Sequence, residues 1–178
     1  MSMRDVVIRA ALPADAQAIA ALHVAVSSTT YRDLAPPDAL HRLDVPHRLA
    51  RWAETLAKAE RTVLVAEVEG RIVGIGSAGA PTVPELGEYG EILHLYVDPA
   101  HGGRGIGTAL MRTLAFALRQ QGYTSAALGV VDGNLAAIAF YVKLGGKVAG
   151  YYTDPGPIWR SRNQIIVWDL TTTLLAQV

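Results

Sequence analysis

The segment of this chain best suited to chemistry is a run of glycines between a strand pattern and a helix pattern. Glu91-Ile92-Leu93-His94-Leu95-Tyr96-Val97 is the strongest strand-like run, and Asp98-Pro99 stops it. His101-Gly102-Gly103-Arg104-Gly105-Ile106-Gly107 follows. Ile106, Leu110, Leu114, Ala117 and Leu118 then recur at helical spacing to about Gln121. A helix start exposes N–H groups that lack an internal partner and carries partial positive charge, so it suits a phosphate or pyrophosphate. Gly102, Gly103, Gly105 and Gly107 let a backbone approach such an anion closely, and Arg104 adds a charged donor. The loop is not a P-loop, because Thr108-Ala109 stands where Lys-Ser/Thr is needed. Nor does it complete the dinucleotide fingerprint: counting from Gly103, the sixth position is Thr108 rather than glycine. A glycine-rich turn that binds nothing is the competing reading of this loop taken alone, and the less favoured one.

Other constellations carry less. Ile75-Gly76-Ser77-Ala78-Gly79 lacks the first glycine of a nucleophile elbow. His41, Asp44 and His47 flank Pro46 and read as a solvated loop rather than a metal site. Glu88 and Glu91 could attract a cationic amine. With no cysteine in the chain, disulfides, thiolate zinc sites and a cysteine nucleophile are excluded. Equal numbers of basic and acidic residues, 16 each, argue against a nucleic-acid partner, and no basic-aromatic interleaving appears. No run reaches the roughly 18 apolar residues of a membrane span. The N-terminus lacks the apolar core of a signal peptide. The expected location is the cytoplasm, with no membrane partner.

The elements that must position this loop are legible in outline. Val6-Val7-Ile8-Arg9 reads as a strand, 13–28 as a helix and Pro46–Glu60 as a second helix. Thr62–Val68 and Arg71–Gly76 form a hairpin around Glu69-Gly70. Strand 125–131, helix 134–144 and two strands at 147–152 and 164–170 complete the chain. At 178 residues and 51% apolar content this predicts one α/β (α+β) domain over 1–178. It would carry a mixed, mostly antiparallel sheet of about six to seven strands and about four helices.

Two motifs in this order resemble the Gcn5-related N-acetyltransferase (GNAT) family. The first is Leu95 through Leu110, matching a strand, a Val-x-Pro-like turn and Arg/Gln-x-x-Gly-x-Gly/Ala. The second is Asn134-Leu135-Ala136-Ala137-Ile138-Ala139-Phe140-Tyr141-Val142-Lys143-Leu144-Gly145-Gly146. The resemblance covers nearly the whole chain. It departs at Gly102, where the family usually has Arg or Gln.

The resemblance implies an acetyl-CoA-dependent N-acetyltransferase, with acetyl-CoA as co-substrate and direct transfer in a ternary complex. It implies a cofactor site at Leu95, Tyr96, Val97, Gly102, Gly103, Arg104, Gly105, Ile106, Gly107, Thr108, Asn134 and Tyr141. Tyr141 matches the tyrosine that protonates the departing thiolate, and Glu91 matches a glutamate placed near the acceptor as base. General acid or base catalysis contributes about 10²–10⁴-fold. Asn134 would also cap its helix. Strict alternation would put Glu91 on one face of its strand with Leu93, Leu95 and Val97, and a bulge would break that parity.

On the acceptor side His23, Tyr31, Glu88 and Tyr89 are the expected substrate contacts. His23 lies on an apolar stripe, which also suits a core histidine. The acceptor is a small-molecule or peptide amine. Exposed edge strands would suit a homodimer. A catalytically silent acyl-CoA-binding sensor or scaffold is the alternative from another class.

Overall fold

The structure, a computed structural model, describes residues 6–172. Seven strands form one sheet in the order β1-β2-β3-β4-β5-β7-β6. They are β1 (Val6–Ala10), β2 (Thr62–Val68), β3 (Arg71–Gly79), β4 (Gly90–Val97), β5 (Ser125–Val131), β6 (Lys147–Thr153) and β7 (Arg162–Asp169). Every neighbouring pair is antiparallel except β4 and β5. Five helices accompany them: α1 (Ala16–Thr30), α2 (Pro37–Arg42), α3 (Val45–Lys58), α4 (Ile106–Gln120) and α5 (Leu135–Lys143). Among the described residues no helix is long and apolar enough to cross a membrane.

Residue alternation builds the two layers. On β2, Leu64, Ala66 and Val68 join the core beneath α4, while Val63 and Val65 join the cluster of Ile19, Ala20 and Trp52 beneath α1 and α3. Helix α4 buries Ile106, Leu110, Met111, Leu114, Ala115 and Leu118 on one stripe. The expected hairpin is present, and its turn places Glu69 and Gly70 both at positive φ (49° and 75°).

Three differences from the sequence expectation have physical causes. Helix α2 is additional: six residues beginning with Pro37 make too little of an apolar stripe to show. Strand β3 runs on to Gly79 because β4 pairs with it throughout. Strand β4 carries a bulge: Ser77 faces His94 and Ala78 faces Ile92, leaving Leu93 extra. Ile92, Leu95 and Val97 therefore all pack on the α4 side. His94 and Tyr96 meet His23 of α1 on the other face.

Candidate active site

Strands β4 and β5 pair only at Gly90–Ala126 and Glu91–Ala127 and then diverge. The gap between them is where the sheet stops being continuous. A cavity of about 490 Å³ opens at its α4 end, lined by Leu95, Val97, Gly102, Gly103, Gly105, Ile106, Gly107 and Thr108. Gly105 caps α4 with φ 79°, a conformation open to glycine, and its carbonyl accepts the first helical bond from Ala109 N–H at 2.9 Å. The N–H groups of Ile106, Gly107 and Thr108 therefore have no intrahelical acceptor and belong to the cavity wall. A pyrophosphate fits this cradle of orphan donors and helix dipole. His101 and Lys143 add basic groups to the same lining. Arg104 is exposed and outside it.

Helix α5 closes the other side through Ala137, Phe140, Tyr141 and Leu144. Asn134 caps it, its side-chain oxygen accepting from Ala137 N–H at 3.3 Å. Tyr141 is only 8% exposed and sits edge-on to Phe140 and Trp168. Burial, with Tyr96 adding to it, pushes its hydroxyl above the ordinary tyrosine range, so the proton stays on it at neutral pH. Tyr141 is also part of the wall of a second cavity of about 430 Å³, which holds Asn134, Tyr31, Leu93, Tyr96 and Gly129.

Tyr31, Leu93, Tyr96 and Gly129 continue into a third cavity of about 530 Å³. Its walls come from α3 (His47, Arg48, Arg51), β4 (Glu91, Ile92, Leu93) and the segment joining β6 to β7 (Asp154, Pro157, Ile158, Trp159). A Cβ at Gly129 would collide with the Tyr152 ring, so glycine is what lets that ring lie against β5. The neighbouring Tyr96, together with burial, raises the Tyr31 hydroxyl above the ordinary tyrosine range, and burial raises that of Tyr96, so both keep their protons at neutral pH.

Glu91 is 1% exposed. Its Oε2 accepts from Thr82 N–H (2.9 Å) and Arg61 Nη2 (3.2 Å), and its Oε1 from the Thr82 hydroxyl (2.9 Å). Burial raises its pKa against the opposing pull of Thr82 and Arg61. A carboxylate offers about four lone-pair sites, so one on Oε1 remains for a further donor.

The other expected substrate residues divide. Tyr31 lines the second and third cavities. His23 is 1% exposed, stacked on Tyr96 at 4.4 Å, and its Nδ1 accepts from Trp52 Nε1 at 3.1 Å. It sits behind Tyr96 rather than in the cavity lining. Glu88 is exposed, and Tyr89 lines a separate depression with Thr124 and Trp168. Asp44 caps α3, accepting from His47 N–H at 2.9 Å. Sequence reasoning missed Arg48, Arg61, Thr82 and Lys143. Arg48 had a usable signal, since it stands one helical turn before the buried Trp52.

A profile of the acetyltransferase (GNAT) family matches residues 27–146. N-acetyltransferase 8B of Homo sapiens is 39% identical over 87 residues, 48% of this chain and 38% of that protein. The chain thus spans about two fifths of the length of the curated relatives it matches first. A GCN5-related N-acetyltransferase structure from Rhodopseudomonas palustris aligns with a TM-score of 0.77 at 25% identity, over 96% of this chain and 99% of that one. The yncA structure from Salmonella typhimurium, which contains acetyl-CoA, aligns with a TM-score of 0.69 at 25% identity, over 93% and 94%. Because the family profile spans more than half of its residues, the chain belongs to the GNAT acetyltransferase family.

Proposed function

We propose that this protein transfers the acetyl group of acetyl-CoA directly to a primary amine, a small molecule or a protein N-terminus, in a ternary complex. The observation that carries this reading is the position of Tyr141. It is shared by the glycine-lined cavity and by the cavity that leads to the acceptor side. Acetyl-CoA supplies an activated thioester carbonyl and a thiolate leaving group. The chain supplies the rest. The N–H groups of Ile106, Gly107 and Thr108 hold the pyrophosphate, and the Asn134 amide lies beside the path of the pantetheine arm. Backbone N–H near Val97 stabilises charge on the carbonyl oxygen. Glu91 takes the amine proton at Oε1, directly or through one water. As the new N–C bond forms and the C–S bond breaks, the Tyr141 hydroxyl gives its proton to sulfur.

Thermal unfolding with acetyl-CoA, and with NADH as control, tests the donor. At 100 times its dissociation constant a ligand adds about 2.7 kcal/mol. A rise with acetyl-CoA alone is expected. No rise at millimolar acetyl-CoA would remove the reading.

A further inference from the structure

The acceptor cavity contains a guanidinium that the described chain does not neutralise. Arg48 lines it beside Tyr31 and Tyr96. Its Nε is buried and has no hydrogen-bond partner. No aspartate or glutamate among the described residues forms an ion pair with it. The other arginines drawn into the fold are paired: Arg9 with Asp15 and Glu67, and Arg61 with Glu91. Asp154 lies in the same lining, but its Oδ1 accepts from Gly156 N–H at 2.6 Å. Arg51, one turn along α3, turns outward to Glu54 at 3.6 Å.

A half-buried cation without a counter-ion is unfavourable unless something arrives to pair with it. Arg48 is held in place by α3 itself, because Trp52, four residues on, is buried in the core beneath the helix. The planar fork of a guanidinium matches a carboxylate through two parallel hydrogen bonds. Leu43, Ile158 and Trp159 make part of the same wall apolar, and the carboxyl groups of Glu91 and Asp154 in it count against a doubly charged phosphate. The charge also lies close to the transfer point. Arg48 interacts electrostatically with both Tyr31 and Tyr96, and these two residues line the cavity shared with Tyr141.

We propose that Arg48 sets acceptor specificity by binding the carboxylate of a free α-amino acid, or a close analogue, whose amino group then reaches the transfer site. The products are the N-acetyl amino acid and free CoA. The side chain of the acceptor lies against Trp159 and Ile158, which favours apolar amino acids. A protein N-terminus is disfavoured, because its carboxyl is an amide and leaves Arg48 unpaired. This inference rests on the acetyl-transfer reading.

The test uses the purified full chain and measures thiol release from acetyl-CoA. The acceptors are the standard amino acids, each beside its carboxamide, and a short peptide. Acetyl-CoA stabilisation is recorded first, and its absence would overturn the underlying reading instead of this one. Given that stabilisation, at least one apolar amino acid should exceed its carboxamide about 10- to 100-fold in kcat/KM, the range of a charge-assisted hydrogen bond. Arg48→Met should erase the preference through acceptor KM, with acetyl-CoA KM unchanged, and Arg48→Lys should keep part of it. Arg48→Met should also unfold at or above the wild-type temperature, since it removes an unpaired cation. Carboxamides or the peptide reacting as well as free acids would overturn the proposal. So would no free amino acid reacting, a preference that survives in Arg48→Met, or a loss of folding in that variant.

Discussion

The two ends of the active site are built from different materials. The donor end is backbone: Gly102 to Gly107, the first N–H groups of α4 and a cap at Asn134. The acceptor end is side chains from α1, α3, β4 and the β6–β7 connection, among them Tyr31, Arg48, Glu91 and Trp159. Backbone donors are present at every residue and depend only on local conformation. A side-chain wall depends on which distant elements meet. On the proposed reading the donor end is general across substrates, and the acceptor end is where one substrate is told from another.

The sharpest probe of this division is Tyr141→Phe, which removes the hydroxyl proposed as proton donor between the two ends and keeps the ring. Turnover should fall about 10²–10⁴-fold where chemistry limits the rate. Acetyl-CoA affinity should change little. Unchanged single-turnover rates would take the acid role away from Tyr141.

Glu91→Gln acts on the acceptor end through stability as well as catalysis. It leaves Arg61 bonded to the Ala80 and Glu91 backbone carbonyls but without its counter-ion, and losing one member of a buried pair costs about 3–5 kcal/mol. Urea unfolding should show that loss. The pH–rate profile of the surviving enzyme should also shift, and an unaltered profile would place the base elsewhere.

Gly105→Ala strains the donor end alone, because its φ of 79° disfavours a side chain by about 1–3 kcal/mol. Titration should find acetyl-CoA weakened about tenfold with acceptor KM unchanged. If both constants moved together, the two ends would not be separable.

A further effect, on stability alone, is set by pH. Burial depresses the His23 pKa to about 2 and the His94 pKa to about 3, from an ordinary 6.5. Between those limits the unfolded chain takes up protons that the folded chain refuses. Stability is therefore intact above about pH 6.5 and falls as the pH drops through that window. The slope approaches about 1.4 kcal/mol per pH unit for each histidine. Denaturation midpoints at pH 7 and pH 5 would measure it, and equal midpoints would show that these imidazoles take up protons in the folded state.

The same division explains what could be read from residue order. The glycine cradle was legible because strand, turn and helix start are neighbours in the chain. The hairpin was legible for the same reason. Tyr141 could be assigned a role only through resemblance, since its place between two cavities depends on how α5 packs. The β4 bulge at Leu93 was hidden because it lies in pairing with β3 and not in β4 alone. Without it the face occupied by Glu91 stayed open. The Glu91–Arg61 pair joins residues 30 apart, and the missing partner of Arg48 is a property of the whole assembled wall. Helix α2 escaped because one and a half turns carry no period.

The divergence of β4 from β5 also bears on how such a protein can change over generations. Past Glu91 and Ala127 the two strands face one another without ladder bonds, so main-chain N–H and C=O groups front the gap. An amide-bearing arm lying there can bond to those groups whatever side chains stand nearby. Substitutions on α3 or in the β6–β7 connection can then redraw the acceptor wall while the grip on the donor persists. Inheritance of the donor and innovation in the acceptor become separable, because the first is written in the path of the chain and the second in its side chains.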